Sequence, residues 1–166
     1  MITKKKYMWI IGIGVLVIVG ALFFVLPNSK VNGYTSLNNF KEDITIYKSL
    51  SCGCCGIYAD YFENKGNVDV KIVDVGGDTS IKTKYGVPEE LQSCHTTIIG
   101  DYFVEGHVPL EAINKMLEEK PNIAGIAMSG MSGMPAGSPG MPGTKEEAFV
   151  IYAVNHDGSY NEFMRI

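Results

Sequence analysis

The pattern of apolar and polar positions divides the chain into two unlike parts. The first opens "MITKKKYMWIIGIGVLVIVGALFFVL". Three lysines are followed by uncharged, mostly apolar residues from Tyr7 to Leu26. A run of about twenty such residues is what a helix needs to cross a bilayer. Lys4, Lys5 and Lys6 assign their end to the cytoplasmic side and put the remainder of the chain outside. A cleaved signal peptide is the alternative. The apolar run is long for one, no A-x-A-like site follows, and there is no lipobox cysteine. The expectation is therefore a basic stub at 1–6 and an uncleaved anchor at 7–26. A polar tether, "PNSKVNGYTSLNNFK", follows at 27–41.

From residue 42 onward the periods are those of a globular domain. "DITIYKS" (43–49) alternates apolar and polar with β-branched residues, which predicts a strand. "GIYADYFENKG" (56–66) carries Ile57, Tyr61 and Phe62 at helical spacing and stops at Gly66. "VDVKIVDV" (68–75) predicts a second strand, and "TSIKTKYG" (79–86) a second helix. "HTTIIGDYFVEGHVP" (95–109) predicts a hairpin turning at Gly100-Asp101. "PLEAINKMLEEK" (109–120) predicts a helix burying Leu110, Ile113 and Leu117. The last segment predicts another hairpin, turning at Asp157-Gly158. The order β-α-β-α-β-β-α is that of the thioredoxin-like fold. The expected fold class is thus α/β, a thioredoxin-like domain over 42–166 preceded by one transmembrane helix.

Composition narrows the function. A chain of 166 residues holds one domain with a real core. Its net charge of −4 argues against a nucleic-acid partner. The domain's cysteines face an extracytoplasmic space, where disulfides are common. Yet three of the four cysteines fall in "SCGCCG", as Cys52, Cys54 and Cys55. A bridge between neighbours Cys54 and Cys55 is disfavoured. Cys52 and Cys55 have the C-x-x-C spacing of a redox or metal loop. In a thioredoxin-like chain this loop sits at a helix N-terminus, where dipole and free N–H groups favour thiolate. Cys94 immediately precedes the third strand, in the loop that faces C-x-x-C in this architecture, so fold analogy brings it to the other three.

Thioredoxin-like redox enzymes carry a proline before that third strand. Here "QSCHTT" puts Cys94 and His95 in its place. Two additional soft or borderline ligands suit a metal better than a dithiol enzyme. Thiolates select Cu(I), Zn(II) or iron–sulfur clusters. A single tetrahedral zinc rarely takes vicinal cysteines. An iron–sulfur cluster would have to be inserted outside the cytoplasm. C-x-C-C suits sulfurs that bridge several Cu(I) ions. His95 joins the candidate ligands as neighbour of Cys94, and His107 in "VEGHVP" is a second candidate. His156 in "NHDGS" reads as solvated. The stretch 126–143, "IAMSGMSGMPAGSPGMPG", sets Met128, Met131, Met134 and Met141 among Gly, Ser and Pro, so it reads as a loop offering soft thioethers. A flexible linker is the plainer alternative.

Together, "CGCC", "GVPEELQSCHTTIIGDYFVEGHVP", "GIA" and "GMPAGSPGMP" resemble the CopG-type family of small periplasmic copper-resistance proteins, over about residue 44 to the end. The resemblance implies a thioredoxin-like domain whose thiolates hold a multinuclear, Cu(I)-rich copper cluster. Carried over motif by motif, it implies Cys52, Cys54, Cys55, Cys94, His95 and His107 as ligands, with Met134 and Met141 from the Met–Gly stretch. "AMSGMS", with Met128 and Met131, departs from the family pattern, as does the N-terminal anchor. The anchor would fix the site at the outer membrane face, beside a copper transporter, chaperone or oxidase. The expected function is extracytoplasmic copper binding in resistance, sequestration, transfer or redox cycling. A thiol–disulfide oxidoreductase using Cys52 and Cys55, or a structural zinc module, stands as the alternative.

Overall fold

The structure is a computed structural model, and it describes residues 33–128, 136–141, 143 and 147–166. The expected anchor and residues 27–32 of the tether lie outside these residues, as do Met131 and Met134. Among the described residues, no helix is long and apolar enough to cross a membrane.

The described residues form a mixed α/β structure. In chain order its elements are α1 (Thr35–Asn38), β1 (Ile44–Ser49), α2 (Cys54–Tyr61) with a π-helical turn (Phe62–Gly66), β2 (Lys71–Gly76) and α3 (Ser80–Tyr85). A 3₁₀ turn (Glu89–Leu91), β3 (His95–Ile99), β4 (Tyr102–Glu105) and α4 (Leu110–Glu119) follow. The chain closes with β5 (Gly125–Met128), β6 (Val150–Val154) and β7 (Tyr160–Arg165). One seven-stranded sheet runs in the order β2-β1-β3-β4-β5-β6-β7. The β1–β2 and β4–β5 pairs are parallel and the other four antiparallel.

The two hairpins turn where the sequence places them. Ile99 pairs with Tyr102 across Gly100-Asp101. Asp157 Oδ1 accepts the Ser159 N–H at 3.0 Å and its hydroxyl at 2.6 Å, which closes the second turn. Helix α4 buries Leu110, Ile113 and Leu117 as its period demands, with Ala112 and Met116 beside them. This stripe packs into the main core with Ile44, Ile46, Phe62, Val104, Ile126 and Ile151.

Two expectations change. The tether at 27–41 contains α1, and Leu37 in it is fully buried in the main core. Asn114 Oδ1 on α4 accepts the N–H groups of Ser36 and Leu37, which pins that turn to the domain. The Met–Gly stretch expected to be loop from residue 126 begins instead as β5, a strand buried at all four positions. Met128 lies in it and is 1% exposed, so it is a core side chain rather than a thioether in a loop. The strand exists because Gly125 permits close approach to β4. A Cβ there would lie 2.2 Å from Phe103 O and 2.6 Å from Phe103 Cγ.

Candidate metal centre

Three chain segments converge at one end of the sheet. The first is the loop leaving β1. The Cys52 N–H donates to Ser49 O, turning the chain into α2, which begins at Cys54. Gly53 precedes the helix and supplies no side-chain cap. The first N–H groups of α2 therefore remain for the sulfurs at its start. The second segment is the loop entering β3. The Ser49 N–H donates to Cys94 O at 3.1 Å, so the end of β1 holds the Cys94 backbone. The third segment leaves β4 through Gly106 to His107.

The side chains of these segments meet. Cys94 Sγ lies 2.8 Å from Cys52 Sγ and 3.7 Å from Cys55 Sγ. Cys52 Sγ lies 3.8 Å from Cys54 Sγ. Cys52 and Cys55 are joined as a disulfide with their Cα atoms 5.6 Å apart, while Cys54 and Cys94 are free. His95 Nδ1 faces Cys55 Sγ at 3.4 Å and Cys94 Sγ at 3.8 Å. His107 Nε2 faces Cys54 Sγ at 3.4 Å. Two overlapping ligand sets result: Cys52, Cys55, Cys94 and His95, and Cys54, Cys94 and His107. Within each set the donor atoms lie within 4.8 Å of one another. All six residues expected from the sequence in this region are thus brought together.

The two histidines are prepared as neutral donors. Burial, reinforced by His107 and then by Lys82, pushes the His95 imidazole down to about 3. Burial also lowers His107, partly opposed by its hydrogen bond to Pro139. In that bond His107 Nδ1–H donates to Pro139 O. The donation fixes the tautomer and leaves the Nε2 lone pair toward Cys54. The segment 138–140 sits tightly on this ring, because a Cβ on Gly140 would lie 3.2 Å from His107 Nδ1 and 3.2 Å from Tyr58 N. The Tyr58 ring lies 4.9 Å from His95 and 5.0 Å from His107 between centroids, and its hydroxyl donates to Val108 O at 2.7 Å.

The donor set passes a simple test for a soft metal ion. His95 is fully buried and aims Nδ1 at the Cys55 and Cys94 sulfurs, the pose of an imidazole that meets a soft ion among them. The Cys94 thiol is pushed up to about 11 by burial and by Cys54 beside it. A cation among these sulfurs would relieve that cost, because metal binding takes the thiolate directly. Met141 is half-buried and follows the segment that packs on His107. His156 is exposed, as expected.

A buried ion pair was not legible in the sequence. Lys82 Nζ, on α3, meets Glu105 Oε1, on β4, at 2.5 Å. Glu105 is fully buried and also accepts the Ser93 N–H at 2.6 Å and the Thr96 hydroxyl at 2.6 Å. Burial pushes its carboxyl above the ordinary range, and Lys82, Thr96 and Ser93 oppose that push. The pair anchors the residue immediately before Cys94. Nothing in the alternation of "YFVE" signals it, because its partner lies on another element.

Comparison with known proteins agrees with this geometry. A family described as "Protein of unknown function, DUF411" matches residues 91–141. The curated proteins give no match. Among solved structures, copper resistance protein CopG form 1 is 32% identical, with a TM-score of 0.63, over 75% of this chain and 96% of that one. Form 2 of the same protein is 34% identical, with a TM-score of 0.63, over 75% and 97%. The chain belongs to the CopG-type family of copper-resistance proteins.

Proposed function

We propose that the protein binds copper, as Cu(I), in a thiolate-bridged multinuclear cluster held outside the cytoplasm by an N-terminal membrane anchor. The observation that carries this reading is Cys94, which belongs to both ligand sets. A sulfur shared between two donor sets is what a thiolate bridging two ions requires, and Cu(I) accepts such low-coordinate, sulfur-rich surroundings. Cys52, Cys54, Cys55, Cys94, His95 and His107 are the ligands in this reading. Met134 and Met141 add thioethers from the Met–Gly segment. The protein acts in copper resistance by sequestering copper, passing it to a transporter, chaperone or oxidase, or cycling its redox state. The strand order β2-β1-β3-β4, with β3 antiparallel to its neighbours, supports a thioredoxin-like reading of the first half of the sheet.

The test is copper content of the reduced protein after anaerobic Cu(I) loading and exhaustive dialysis. Wild type is expected to retain several ions per chain. Cys54→Ser is expected to lose most of that copper while keeping its circular dichroism spectrum. Unchanged stoichiometry in this variant would sink the cluster reading. One tightly held zinc with no copper would favour the structural zinc module. The Cys52–Cys55 disulfide favours a second reading, a thiol–disulfide oxidoreductase. That reading requires metal-free insulin reduction or disulfide isomerisation, abolished by Cys52→Ser.

A further inference from the structure

A cleft of about 430 Å³ opens beside the sulfurs. Cys52, Cys54 and Cys94 line it, together with Gly76, Gly77 and Gln92. The other three members of the centre, Cys55, His95 and His107, do not line it and are fully buried. Cys54 and Cys94 are the half-exposed members, and both face this space. Its volume falls within the range of small-molecule sites, about 300–1,000 Å³. Ser51 and Gln92 also line it. Gln92 Nε2 donates to Val87 O at 3.1 Å and Ser51 Oγ meets Ser49 Oγ at 3.4 Å. What they offer a small ligand is therefore the Gln92 carbonyl and the serine hydroxyl lone pairs, acceptors for peptide-like N–H groups.

The disulfide gives such a ligand something to do. Disulfide sulfurs are not thiolate ligands, so Cys52 and Cys55 bind metal only after reduction. Of the two, Cys52 lines the cleft and Cys55 does not. An attacking sulfur in the cleft therefore reaches Cys52, with Cys55 as leaving group.

We propose that this cleft binds a low-molecular-weight thiol, of amino-acid to short-peptide size, that reduces the Cys52–Cys55 disulfide and so opens the centre to copper. The first thiolate forms a bond to Cys52 Sγ, the Cys52–Cys55 bond breaks, and Cys55 leaves as thiolate. A second thiolate attacks the ligand sulfur of that mixed disulfide and releases Cys52 as thiolate. Two thiols become one external disulfide, two electrons enter the protein, and the two thiol protons end on Cys52 and Cys55 or in solvent. This deepens the copper reading and rests on it for its purpose, but its test needs no metal.

The test uses the metal-free, oxidised full-length chain, with protein thiols, counted by mass after acid quench and alkylation, as the readout. Reduced glutathione is the reductant, S-methylglutathione the non-reducing competitor, and a phosphine the control reductant. The rate is expected to saturate with glutathione, and S-methylglutathione is expected to inhibit competitively. Gly77→Trp fills the cleft from a position whose added Cβ meets nothing within 4 Å. It is expected to slow glutathione about tenfold or more while changing the phosphine rate about twofold or less. A strictly linear dependence on glutathione with no inhibition in wild type would overturn the proposal, whatever the variant does. Equal slowing of both reductants by Gly77→Trp would overturn it as well. Failure of the pre-reduced wild type to retain copper would instead remove the copper reading and leave the cleft standing.

Discussion

The Lys82–Glu105 pair offers the sharpest energetic test of how the centre is held. Glu105 is fully buried, and the Lys82 side chain is 11% exposed. The carboxylate accepts from three donors: Lys82 Nζ, the Ser93 N–H and the Thr96 hydroxyl. Lys82 Nζ also donates to Thr96 Oγ1 at 2.9 Å. In Glu105→Gln, one oxygen becomes an NH₂ that faces donors. If the Thr96 hydroxyl rotates to accept from it, its own proton has no acceptor. Removing one member of a buried pair leaves the other charge uncompensated, at about 3–5 kcal/mol. Glu105→Gln and Lys82→Met should each cost about that much. Replacing both, as Lys82→Met with Glu105→Leu, removes the two charges together and should cost less than either single change. The assay is urea denaturation of the reduced, metal-free protein, run as a double-mutant cycle whose single corners are Lys82→Met and Glu105→Leu. Because Glu105 holds the Ser93 N–H, Glu105→Gln should also lower copper retention under conditions where the variant is still folded. Single variants within about 1 kcal/mol of wild type, or a double variant equal to the sum of the singles, would refute the reasoning.

Three further outcomes are expected. Gly125→Ala drives a Cβ into the Phe103 backbone and ring and should destabilise by about 3 kcal/mol, at the upper end for overpacking, read from the shift in urea midpoint. Tyr58→Phe leaves Val108 O without its donor and should cost about 1–2 kcal/mol in the same assay; no loss would mean that another donor replaces it. His95 is depressed to about 3 in the folded chain, against about 6.5 unfolded. Its contribution is therefore complete above the unfolded value and is lost as pH falls toward the folded one. The metal-free protein should lose about 2 kcal/mol of stability on going from neutral pH to about pH 5, and His95→Gln should flatten that slope. A slope unchanged by His95→Gln would assign it elsewhere.

The legible and illegible parts of this molecule separate by the range of the interaction. The α4 stripe, the two hairpin turns and the body of α2 depend on neighbours within a few residues, and local period and turn chemistry announce them. The C-x-C-C loop was visible for the same reason. Helix α2 itself begins at Cys54, two residues before the expected start at Gly56. Only fold order and family motifs bring Cys94 and His107 to the centre, because their distance from Cys52 along the chain carries no spacing rule. The β5 strand was missed because "GIAM" is four residues long, buried on both faces, and continuous in composition with the Met–Gly segment. Its identity is decided by β4 and β6 on either side. The same is true of α1, whose helical turn is short but is fixed by Asn114 across the core. The ion pair joins residues 23 positions apart, and neither side chain signals the other.

The donors of the centre run from Cys52 to His107, across α2, β2, α3, β3 and β4. An unfolded chain keeps only Cys52, Cys54 and Cys55 together and does not gather Cys94, His95 and His107 with them, so the folded state binds an ion more tightly. Free ion at about a thousandfold its dissociation constant would add up to about 4 kcal/mol to folding. The lifetime of the chain against proteases then follows the metal supply: an ion-starved population is cleared first, and a loaded one persists.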